Sequence, residues 1–69
     1  MDARLEKWIR ETYQERTKAI ESGVVNIDWL DPRYRITVTE IVVKADSLGL
    51  KLDMIELRRW LATQEGKWK

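Results

Sequence analysis

The residues with acid–base chemistry to offer are two carboxylate pairs. Asp28 and Asp31 stand either side of a turn, and Asp46 and Asp53 flank Gly49. General acid–base catalysis needs two such groups held in a cleft with their pKa values driven apart. A chain of 69 residues has little room for a cleft, and turn and helix-cap duties account for all four. Cys and His are both missing, which removes thiolate nucleophiles, disulfides and the usual zinc ligand sets. Gly23, Gly49 and Gly66 are isolated rather than gathered into a phosphate loop, and no calcium-loop spacing of oxygen ligands occurs. The expectation is a protein that is not an enzyme and carries neither cofactor nor metal.

What remains is the chemistry of binding. Charge is dense but nearly balanced, with 13 Lys and Arg against 12 Asp and Glu. Each sign occurs equally up to residue 37, so the one surplus positive charge belongs to 38–69. It gathers at the end of the chain, where Arg58, Arg59, Lys67 and Lys69 face Glu65 alone, with Trp60 and Trp68 interleaved. Such an end can dock on phosphates or on an acidic protein face. Trp68 lies past the last helix stop and is expected outside the core of a monomer. With Arg59 and Lys67 it marks a partner patch, since aromatics and Arg are enriched at binding hot spots. Val43 points to the outer face of its helix and, joined by Ile55, extends that patch.

The elements that position these residues are legible from their ends. Asp2 caps a first helix over about 3–22, with Leu5, Trp8, Ile9, Thr12, Ala19 and Ile20 on one face. Glu6 with Arg10, and Lys7 with Glu11, are spaced for ion pairs on its surface. Arg16 falls inside the apolar stripe, so it snorkels, pairs with Asp28 or Asp31, or contacts a partner. Thr37 with Glu40, and Asp53 with Glu56, are two capping boxes in succession, bracketed by the staples Ile36/Ile41 and Leu52/Leu57. They predict helices over about 38–48 and 54–65, joined through a stop at Gly49. Val38, Ile41, Val42, Ala45 and Leu48 give the first of these a buried face; Met54, Leu57, Trp60 and Leu61 serve the second. The fold class expected is all-α: one small three-helix domain with an extended segment or turn between the first two helices. The competitor is α+β, with a β-hairpin over 24–43, because Val25, Ile27 and Trp29, then Tyr34, Ile36 and Val38, alternate with polar residues. No apolar run approaches the roughly 20 residues of a membrane span, and the start of the chain has no signal-peptide pattern. A cytoplasmic protein without a membrane partner is expected.

Residues 41–62 resemble the helix-turn-helix family of DNA-binding domains. The resemblance rests on a small residue, Ala45, a Gly four later, Gly49, and an apolar residue ten beyond the small one, Ile55. Leu48 and Leu50 match the apolar positions beside the Gly. It implies that the helix from Met54 enters the major groove. Lys51, Arg58, Arg59, Thr63, Lys67 and Lys69 would then form the nucleic-acid surface, by phosphate contacts or an Arg fork on guanine. The functional expectation is a small DNA-binding regulatory protein. The alternative is a protein-interaction module, an inhibitor, adaptor or homodimer, contacting its partner through Val43, Ile55, Arg59 and Trp68.

Overall fold

The structure, a computed structural model, describes residues 1–23 and 32–68. Three helices follow in order: α1 Ala3–Glu21, α2 Val38–Ser47 and α3 Met54–Gln64. No strand occurs among the described residues. The chain is all-α, and the hairpin over 24–43 is not supported: Val38 to Val43 are helical. The other arm of that hairpin, with Trp29, Asp28 and Asp31, lies outside the described residues.

Each helix starts where a short side chain accepts from the first-turn amides. Asp2 Oδ1 takes the Arg4 amide at 2.8 Å. Around α2 the capping box is complete. The Glu40 amide donates to Thr37 Oγ1, and the Thr37 amide to Glu40 Oε1, both at 3.2 Å. Asp53 Oδ1 accepts from the amides of Ile55 and Glu56 at 2.8 and 3.3 Å. The reciprocal half of that second box does not form. The Glu56 carboxylate goes to the α-ammonium of Met1 at 2.7 Å instead, because a full positive charge outcompetes a neutral amide. At the other end of α2, the Leu50 amide reaches the Ala45 carbonyl and the Gly49 amide the Asp46 carbonyl. This is a Schellman stop, with Gly49 in the left-handed region at φ 71°.

Leu5, Ile9 and Tyr13 supply α1's buried stripe at four-residue spacing, while Ile41 and Ala45 come from α2 and Leu57 and Leu61 from α3. Burying each such large side chain stabilises the fold by about 1.5–3 kcal/mol. Ile36 closes the core between α1 and α2, which pack directly on each other. Trp8, Leu52, Met54 and Trp60 pack on it half-buried. Two expectations are corrected here. Val38 and Val42 are 41% and 42% exposed rather than core: α2 is short and turns its Ile41–Ala45 line inward, leaving the adjoining edge to solvent. Trp68 is buried at 8% exposure rather than free. Gly66 takes φ 80° and the Lys67 amide bonds the Gln64 carbonyl at 3.0 Å, so the chain turns back and drops Trp68 onto the core.

Arg16 also finds a different partner from the one expected. Its guanidinium forks onto the Glu40 carboxylate and donates to the Arg35 carbonyl at 2.8 Å. One α1 side chain thereby holds both the cap of α2 and the turn before it, where Arg35 sits at φ 53°. On the outer surface of α1, Lys7 pairs with Glu11 at 3.8 Å, whereas Glu6 turns to the Met1 α-ammonium, also at 3.8 Å.

Candidate functional site

Because α3 is fixed by Leu57 and Leu61, the opposite side of the same helix is fixed too. Ile55, Arg59 and Thr63 follow at four-residue spacing and form its outward line, all exposed. Thr63 Oγ1 donates to the Trp60 carbonyl at 2.6 Å and accepts from Gln64 Nε2 at 3.2 Å. Arg58 lies one residue off that line, towards α2. There it joins Ala62, Leu61, Ile41 and Val38 around a groove of about 460 Å³ between the two helices. Lys51 is exposed in the α2–α3 connection and Lys67 is exposed beyond α3. Lys69 lies outside the described residues.

The electrostatics of this half differ from what counting charges suggests. Among the described residues, no carboxylate lies within ion-pair distance of Lys51, Arg58, Arg59 or Lys67. Of the acids in the same stretch, Asp53 caps α3 and Glu56 holds the Met1 α-ammonium, while Glu65 is exposed with no cation within ion-pair distance among the described residues. That ammonium is raised above its ordinary 8.0 mainly by its bond to Glu56. Glu40 is held below its ordinary 4.5 by the Arg16 guanidinium, and Asp2 below 3.8 by its bonds with Arg4. The Met1 α-ammonium and Asp2 line a small cleft of about 90 Å³ together with Asp53 and Glu56. Asp46 is exposed in the last turn of α2, and Asp53 Oδ1 is taken up by the first-turn amides of α3.

Of the expected partner patch, Val43 and Ile55 are exposed at 63% and 64%. Trp68 is not available to it. The Trp68 ring packs against Tyr13, Trp60 and Tyr34 at centroid distances of 5.3, 5.9 and 6.2 Å. Its Nε1 donates to Gln64 Oε1 at 3.3 Å, so the indole has both an apolar seat and a polar partner. The signal for this was a large aromatic two residues past a glycine stop, within reach of the helix it follows. The α2–α3 groove had no such signal, because it depends on which edge of α2 faces α3.

No helix of the described residues is long and apolar enough to cross a membrane. No group of three or more Asp or Glu side chains able to hold a metal ion occurs among them. Comparison of the chain with models of protein families, with curated proteins and with solved structures finds no match.

Proposed function

We propose that this chain is a small nucleic-acid-binding protein that presents the outward face of α3 and its flanks to DNA phosphates. The observation carrying the proposal is the set of exposed cations Lys51, Arg59 and Lys67, none of them neutralised by an acid among the described residues. Cations already paired within a fold gain little by meeting phosphate, whereas unpaired ones release the counterions condensed on DNA. Glu56, the acid nearest that face in sequence, is balanced by the Met1 α-ammonium. A helix with Arg59 and Thr63 on its outer line has the donors and acceptors for phosphate and base edges. The DNA-binding and regulatory expectation from the sequence is consistent with this surface.

Titration of a random-sequence duplex against salt tests it. Affinity should fall steeply with salt, and Arg59→Ala should weaken binding and lower the log–log slope by about one. Binding that ignores salt, or that ignores Arg59, contradicts the proposal. A second reading, a protein-interaction module, is favoured by one observation. Among the described residues, the exposed large hydrophobic residues Val38, Val42, Val43 and Ile55 are on α2 and α3, and none is on α1.

A further inference from the structure

The exposed edge of α2 has an order to it. Val38, Val42 and Asp46 succeed one another at four-residue spacing, so they form one stripe about 12 Å long. Val38 and Val42 are 41% and 42% exposed. Asp46 stands in the last turn of α2, where the helix dipole disfavours a negative charge. Among the described residues it has no cation within ion-pair distance. Arg58 is equally without an acid, and it lines the α2–α3 groove at the level of Val38, at the other end of the stripe. The molecule thus carries an unpaired acid at one end of an apolar edge and an unpaired cation at the other.

A two-fold axis through Val42 turns that asymmetry into complementarity. Antiparallel packing places residue 46 of one copy opposite residue 38 of the other, which is where Arg58 lies. We propose that two copies of this chain associate through α2, antiparallel about Val42, with Asp46 of each copy paired to Arg58 of the other. Val38 and Val42 of both copies then cover one another at the mouth of the groove floored by Ile41 and Leu61. Arg33 lines the groove along with Arg58, but the exposed stripe itself is Val38, Val42 and Asp46, and Asp46 repels phosphate, which makes nucleic acid a poor occupant of this edge. An unrelated acidic peptide would need an apolar and acidic stripe of this spacing, which α2 of a second copy already has. The interface is isologous, the same patch used twice, as closed dimers require. It is separate from Lys51, Arg59 and Lys67, so it stands or falls without nucleic acid present.

Sedimentation velocity of the full chain, from about 10 µM to about 1 mM, reads the association without any ligand. The wild type should show a monomer–dimer equilibrium. Asp46→Arg and Arg58→Asp should each raise the dissociation constant at least about tenfold, or ~1.4 kcal/mol. The double exchange D46R/R58D should bring it back towards the wild-type value. Asp46→Arg suits the helix dipole, so it should not impair folding, and far-UV circular dichroism checks each variant. Val42→Glu, at the axis, should abolish the dimer by a route that leaves both charges in place. A chain monomeric throughout the range overturns the proposal. So does a dimer indifferent to Val42→Glu, a double exchange no better than either single one, or an α2 edge that captures only a foreign protein.

Discussion

Helix α1 and the α2–α3 unit carry similar charge densities but spend them differently. On α1, Asp2 meets Arg4, Lys7 meets Glu11, and Arg16 reaches across to Glu40, while Arg10, Glu15, Lys18 and Glu21 are exposed with no ion-pair partner among the described residues. Among the described residues, Asp46, Arg58 and Arg59 on α2 and α3 meet no opposite charge, and the exposed large hydrophobic residues are there too. A charge whose partner lies within the chain serves the fold. A charge left without one, on the same helices as bare valines, is available to another molecule. Near-zero net charge therefore does not argue against a binding surface: among the described residues every ion pair draws a partner from residues 1–16, and none joins two charges of 38–68.

Inside α3, stability and binding should map to opposite faces. Leu57 is fully buried, so Leu57→Ala should cost about 2–5 kcal/mol in urea denaturation. Ile55→Ala, on the exposed line, should stay within about 0.5 kcal/mol. Equal losses would mean that the outward line is buried after all. Trp68→Ala should cost about 3 kcal/mol, and intrinsic fluorescence should report the loss of the aromatic cluster; a silent variant would put Trp68 back in a free tail.

Smaller effects sharpen the α1 side. Arg16→Ala should cost about 1–2 kcal/mol, because a charge-assisted fork is lost from a half-exposed site. The same contact sets a pH dependence. Glu40 has a folded pKa below its ordinary 4.5, so its contribution is fully present above about that value and fades as pH falls through the lower folded one. Asp2 behaves alike below its ordinary 3.8. The Met1 α-ammonium has the opposite sign. Its folded pKa is raised above 8.0, so its contribution is present below that value and is lost as pH rises through the raised one. Urea midpoints measured against pH should therefore decline on both limbs. Glu40→Gln should flatten the acid limb, and a limb unchanged by it would remove Glu40 as the cause. The smallest stability effect should come from Arg59→Ala, within about 0.5 kcal/mol.

The caps and stops were legible because their chemistry is local. Thr37 finds Glu40 three residues on, Asp53 finds the amides two and three residues on, and Gly49 ends the helix it follows. The predicted helices end one residue later than the observed ones, the usual spread where a cap residue is counted in or out. What escaped was set by packing between distant segments. Arg16 and Glu40 are 24 residues apart, and nothing local in either names the other. Glu56 fits a capping box until the chain's own α-ammonium arrives beside it. Trp68 was read by its place after a glycine stop, and the stop turned out to be the device that returns it to the core. The candidate site was legible as residue types, Lys51, Arg58, Arg59, Thr63 and Lys67, but not as geometry. The separation of Arg58 into a groove with Val38 depends on how α2 and α3 face each other.

The proposed DNA-binding surface is the outward face of α3 and its flanks, with α1 as scaffold. Amide chemical shifts of ¹⁵N-labelled chain, followed as a short duplex DNA is added at low salt, test that residue by residue. Perturbations should concentrate at Lys51, Ile55, Arg59, Thr63 and Lys67 and fade as salt is raised, while Lys7, Arg10 and Glu11 stay still. Perturbations centred on α1, or none at any DNA concentration, would contradict it.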